Sequence, residues 1–134
     1  MILVDTSVWI EFLKGSDDPS VGELVRLINT GEDIRVSEPI IMELLAGATT
    51  PSLEAKISQL TNGLPLAAIQ PALDYRAAAQ LFVASRKNGH PIRSLSDCLI
   101  AAVALRLQIP LFHRDRDFGF LAEISDLRLH QGRA

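Results

Sequence analysis

Short aliphatic runs alternate along the chain with longer stretches whose apolar positions recur at helical spacing. Ile2-Leu3-Val4 predicts a short buried strand, and a helical pattern follows from Ser7, with Val8, Ile10 and Phe12-Leu13 before Gly15. A second helix is predicted over Pro19–Asn29, stopped by Thr30-Gly31. Ile34-Arg35-Val36 reads as a second strand, and Ser37 is a suitable N-cap for a helix over Glu38–Ala46 that Gly47 ends. Further helices are predicted over 51–61 and 71–86, with a strand near 64–67 between them. The stretch 94–107 is helical and apolar nearly all round, so it belongs against the sheet or in a subunit interface. Strands over 109–112 and 124–129 flank a short helix after Asp115. Strand and helix in alternation is the pattern of a parallel sheet with helices on both faces, an α/β fold.

With 134 residues the chain suits one domain with a core of useful size. Hydrophobic residues make up 48%, which excludes a disordered tail, and 5% aromatics argues against a binder built on stacking alone. No apolar run approaches the roughly 18–20 residues that span a bilayer, and Met1-Ile-Leu-Val-Asp5 lacks a basic secretory n-region. A cytoplasmic location without membrane attachment is expected. A single cysteine, Cys98, leaves no disulfide framework and no cysteine zinc site; in its apolar helix it reads as core, not as a nucleophile. The net charge of −3 divides unevenly: residues 1–67 carry 4 basic and 10 acidic side chains, residues 68–134 carry 9 and 6. A basic half can hold a phosphate backbone while the chain stays acidic, although an ordinary solvated surface has the same composition.

Ligands of open parallel sheets bind beyond the carboxyl ends of the strands. Asp5 directly follows the first strand, Glu43 lies in the helix after 34–36, Asp97 sits in the first turn of the most apolar helix, and Asp115 and Asp117 follow the strand 109–112. Each acid has a structural explanation. Asp5 and Asp115 can cap the helices that follow them, Ser94-x-x-Asp97 is a capping-box pattern, Asp117 suits a first helical turn, and Glu43 can be solvated at a helix edge. Those explanations do not account for all of them meeting at one rim. Crowded carboxylates raise one another's pKa, and a divalent cation removes the conflict. An oxygen-only donor set suits Mg²⁺, with Mn²⁺ as a substitute, and such an ion polarises a phosphodiester. His90, His113 and His130 lack zinc-ligand spacing, and no Walker loop or nucleophile elbow occurs. Arg114 and Arg116 either pair with phosphate or balance the acids.

Asp5-Thr6-Ser7-Val8-Trp9, Met42-Glu43-Leu44-Leu45-Ala46-Gly47, Ser96-Asp97-Cys98-Leu99-Ile100-Ala101 and His113-Arg114-Asp115-Arg116-Asp117-Phe118 resemble the four signature blocks of PIN-domain nucleases, in order and over essentially the whole chain. More narrowly, the chain resembles the VapC ribonuclease toxins of toxin–antitoxin pairs. The resemblance implies a single PIN domain over 1–134, a three-layer α/β/α sandwich with a five-stranded parallel sheet, a homodimer, and a VapB-type antitoxin that occludes the groove. It matches Asp5, Glu43, Asp97 and Asp115 to the acidic quartet, leaves Asp115 and Asp117 as alternatives for its fourth member, and sets Thr6 at a polar position after the first acid. It further implies Mg²⁺-dependent hydrolysis of RNA to 5′-phosphate and 3′-hydroxyl ends. Arg86, Lys87 and Arg93 are candidates for the RNA track. The competing expectations are a weakly catalytic protein that binds RNA or antitoxin, and a phosphoryl-transfer domain with Asp5 as nucleophile. The latter lacks its usual second acid, since Ser7 stands there.

Overall fold

The computed structural model describes residues 1–131. Three short strands, β1 (Ile2–Val4), β2 (Ile34–Arg35) and β3 (Leu111–Phe112), form a parallel sheet in the order β2-β1-β3. Ile2 pairs with Ile34 and Leu3 with Arg35 on one side of β1; Leu3 pairs with Leu111 and Val4 with Phe112 on the other. Seven helices surround this sheet: α1 (Thr6–Lys14), α2 (Pro19–Asn29), α3 (Glu38–Ala46), α4 (Pro51–Asn62), α5 (Pro71–Lys87), α6 (Leu95–Leu107) and α7 (Arg116–Glu123). Successive strand residues face opposite sides of a sheet. Ile2, Leu3 and Val4 are all buried, so helices cover both faces of the central strand.

The sheet has three strands, not the expected five. The segments 64–67 and 124–129 each reduce to one parallel bridge, Val36 with Leu66 and Leu111 with Leu129. Around the first, Val36 N–H donates to Pro65 O (3.1 Å) and Ala67 N–H to Val36 O (2.7 Å). Pro65 has no N–H with which to extend the ladder, and Leu66 is 44% exposed, so little burial favours a longer strand. Around the second, Leu111 N–H donates to Arg128 O and His130 N–H to Leu111 O. Both segments lie where strands were expected, outside β2 and β3, but each is paired at a single residue.

α6 is packed as its all-round apolarity requires: Cys98 and Ile100 through Ala104 are buried. Its excess of apolar surface is thus absorbed by this chain's own core. Trp9 anchors α1, with its indole N–H donating to Val4 O at the end of β1 (3.1 Å). One buried ion pair joins α5 to α6. Asp74, 1% exposed, accepts from Arg106 Nε and Nη2, both at 2.9 Å, and from the Gln70 amide at 2.8 Å; Arg106 Nη2 also donates to Ala68 O. Removing the arginine alone strands a buried carboxylate. Arg106→Leu is expected to destabilise the protein by about 3 kcal/mol in urea unfolding, whereas Arg35→Leu, at a partly exposed pair with Asp33, should cost no more than about 1 kcal/mol.

Candidate functional site

Because β1 and β3 are parallel neighbours, both end on the same edge, and the turns after them carry Asp5 and Asp115 to it. Asp5 performs two tasks. Its Oδ2 caps α1 by accepting from the Ser7 amide (3.0 Å) and the Ser7 hydroxyl (2.6 Å), while Oδ1 is buried with no hydrogen-bond partner among the described residues. The same Ser7 hydroxyl accepts from the Arg114 amide (3.0 Å), so one side chain ties Asp5 to the loop after β3. The neighbouring Thr6 hydroxyl is likewise buried, close enough to Glu43 to act on its carboxyl.

Glu43 projects from α3 and is held by the Ser96 hydroxyl, which donates to Oε1 at 3.0 Å. Asp97 takes part in its helix cap only through its amide, which donates to Ser94 Oγ at 3.3 Å. Its carboxylate belongs to a compact group: Asp97, Asp115 and Asp117 each offer one oxygen, all within 4.8 Å of one another. Asp115 caps α7 by accepting from the Asp117 amide (3.0 Å), and its own amide donates to His113 Nδ1 (3.0 Å). Asp117 is buried, with the mostly exposed Arg93 beside it, Nε at 3.8 Å from Oδ2.

The electrostatics follow from this crowding. Burial pushes the Asp97 carboxyl up to about 7, reinforced by the charges of Asp5, Asp115, Glu43 and Asp117. Burial also raises Asp5, against the hydrogen bonds from Ser7, and raises Glu43, helped by Asp5 and opposed by Ser96. The imidazole of His113 is held below its ordinary pKa by burial, against the pull of Asp5 and Asp115. Cys98, next to Asp97, has its thiol pushed up to about 11 by burial and then by Asp97 and Asp117, which fits core packing and not nucleophilic chemistry.

All five acids singled out in the sequence therefore meet at one edge. Asp97, Asp115 and Asp117 form the tight group, and Asp5 and Glu43 lie close enough to shift Asp97. Arg114 is turned away from the group, pairing with Asp18 (2.6 Å) and Glu11 (3.5 Å). Arg86 rests over the Phe82 ring (4.9 Å), and of the three candidate backbone cations only Arg93 touches an acid of the site. Sequence reasoning passed over Ser7 and Ser96 as supports and His113 as a neighbour of Asp5. An Asp-x-Ser at a helix start is a readable signal for the first; nothing local signals the 53-residue separation between Ser96 and Glu43.

A family model described as PIN domain matches residues 2–124. The chain belongs to the PIN-domain family. Two curated members, VapC ribonuclease Mb1587 of Mycobacterium bovis and Ribonuclease VapC11 of Mycobacterium tuberculosis, are each 40% identical to it over 129 residues, covering 96% of both chains. Within the PIN domains it is thus a member of the VapC ribonuclease family. The fold is also that of the VapBC2 structure from Rickettsia felis bound to a DNA fragment from its promoter: TM-score 0.77, 19% identity, 97% of this chain and 98% of that one covered.

In this PIN domain the raised pKa of Asp97 carries a stability consequence with a definite sign. A carboxyl near 7 in the fold and near 3.8 in the unfolded chain makes the folded state the better proton binder. Without metal, wild-type stability is expected to fall as pH rises from about 4 to about 7, and to level off above that. Asp97→Asn removes this loss. It should match wild type near pH 4 and exceed it at pH 8 by on the order of 2–4 kcal/mol, read from urea unfolding in chelator.

Proposed function

We propose that this protein is a metal-dependent endoribonuclease, a single PIN domain over residues 1–134 acting as the toxin of a toxin–antitoxin pair. The observation that carries this reading is the convergence of Asp5, Glu43, Asp97, Asp115 and Asp117 on one sheet edge, where burial and the neighbouring carboxylates push Asp97 up to about 7. Arg93 is the one cation paired with the group among the described residues, and it is 76% exposed at 3.8 Å. The buried, unpartnered Asp5 Oδ1 and the all-oxygen donor set fit a hard divalent ion, for which Mg²⁺ is the first choice and Mn²⁺ a substitute.

Asp5 and Asp97 would hold the ion most directly, with Glu43 and Asp115 as direct or water-mediated partners and Asp117 as a supporting or alternate ligand. When bound, the ion supplies charge stabilisation at a phosphodiester and a lowered pKa for water. This chain's own contribution is orientation. Ser7 fixes one oxygen of Asp5 and leaves the other free, Ser96 aims Glu43, and the Asp117 amide holds one oxygen of Asp115. The names of the curated relatives, both ribonucleases, support RNA as the substrate.

The partner reading rests on a groove between α1, α3 and α4. It encloses about 350 Å³, is lined by Ile10, Leu13, Leu44, Leu53 and Ile57, and has Glu43 in its wall. An amphipathic antitoxin segment would lay apolar side chains along this groove and bring a basic one to the carboxylates. A homodimer is proposed on the face of α5 that carries Tyr75 and Val83, 57% and 41% exposed. A cytoplasmic site of action is part of this proposal; no helix of the described residues is long and apolar enough to cross a membrane.

Purified protein freed of antitoxin is expected to cleave RNA with Mg²⁺ or Mn²⁺ and to stop in EDTA, as followed by mapping new RNA ends; undiminished cleavage in chelator defeats the proposal. Asp97→Asn should lower the cleavage rate by about a hundredfold or more while the protein stays folded, the roughly 3 kcal/mol scale of losing one charge contact in the transition state. Tyr75→Glu with Val83→Asp should shift the particle mass measured by light scattering from dimer to monomer; an unchanged mass removes α5 as the dimer face.

A further inference from the structure

The loop between α5 and α6 touches α7 twice in register, and only the first touch involves the acids. Arg93 lies against Asp117, and His90 stacks flat on Phe120 with ring centroids 4.3 Å apart and planes 7° from parallel. Asp117 and Phe120 are three residues apart on α7, so they share a face at about 5–6 Å between Cβ atoms. The aromatic pair therefore stands one helical turn from the carboxylate group. His90 is exposed although one of its faces is covered by Phe120, so its other face is open to solvent.

The loop is held in place. Ser85, 1% exposed, accepts the His90 amide on its carbonyl (3.1 Å) and the Ile92 amide on its hydroxyl (3.1 Å), and Ile92 is buried. An open ring face on a rigid support beside a basic side chain and a phosphodiester-cleaving site has a chemical counterpart. Single-stranded nucleic acids are bound by aromatic and histidine rings on which bases stack, with nearby cations on the backbone. We infer that His90, backed by Phe120, is a stacking subsite for one unpaired base of the RNA strand next to the scissile phosphate, and that Arg93 holds the adjoining backbone. This rests on the ribonuclease reading above and specifies the substrate: an unpaired strand at this position, since a base inside a duplex has no free face to offer.

The test uses the whole chain in EDTA, so that binding is measured without cleavage. The probes are a fluorescein-labelled single-stranded adenosine decamer and an abasic decamer of the same ribose-phosphate backbone, followed by anisotropy over a series of salt concentrations. Wild type should bind the base-bearing strand more tightly than the abasic one. His90→Ala should weaken binding of the adenosine decamer by about five- to a hundredfold and leave the abasic one unchanged, and His90→Tyr should restore the difference. Arg93→Ala should weaken both strands alike and reduce the slope of log affinity against log salt by about 0.7. If His90→Ala binds the adenosine decamer as wild type does, or loses affinity equally for both strands, the subsite is overturned while the ribonuclease reading stands. If wild type binds neither strand at low salt, the subsite is overturned, and the ribonuclease reading is then decided by the Mg²⁺ cleavage assay.

Discussion

Val4 ends the central strand fully buried, and the residue after it must satisfy three demands at once. The Asp5 amide donates to Phe112 O and so closes the sheet against β3; its carbonyl accepts the first helical bonds of α1; its carboxylate caps that helix through Ser7. A side-chain oxygen acceptor of this size is what the turn needs, and only an acid also leaves a negatively charged oxygen inside the protein. The capping and chemical readings of Asp5 are therefore not rivals. The cap fixes one oxygen in direction, and the second oxygen is left buried and unpaired as a geometric consequence.

The acids do not stabilise one another, and the fold tolerates them through polar supports spread over distant segments. Ser7 and Ser96 each donate to a carboxylate, the Asp117 amide donates to Asp115, and α6 presents Asp97 at its positive end. These contacts favour the charged forms, while burial and mutual repulsion oppose them. That Asp97 still rises to about 7 says the opposition prevails at the centre of the group. The remaining imbalance is the electrostatic capacity that a cation would fill.

Much of this was legible in the chain because it is local. Ile2-Leu3-Val4 before Asp5 and the run 34–36 before Ser37 marked strand ends and helix starts, although Ser37 makes no side-chain cap bond, and the apolarity of 94–107 marked the buried helix. The acids were legible as a set because parallel topology sends every strand end to one edge. What escaped were pairings across large separations. Nothing near Leu129 reveals that it forms one bridge and no more, since strand length there depends on its neighbours; beside Leu66 the missing amide hydrogen of Pro65 was a local signal passed over. Arg114 next to Asp115 invited a role at the site, but its guanidinium meets Asp18, almost a hundred residues away. Arg93 was one of several equivalent basic residues until its position beside Asp117 set it apart.

The sheet order has a consequence for how the protein comes into being on the ribosome. β1 lies between two partners that are unequally far along the chain: β2 follows some thirty residues later, but Leu111 and Phe112 more than a hundred. Such pairings form slowly and only after the intervening chain is available. During synthesis Asp5 emerges first, yet its amide finds Phe112 O, and its Ser7 finds the Arg114 amide, only when that last segment is out. Asp97 likewise waits for Asp115 and Asp117. An incomplete nascent chain thus carries most of the acidic side chains without the group formed by Asp97, Asp115 and Asp117, and the site proposed to take a cation is complete only once the third strand docks.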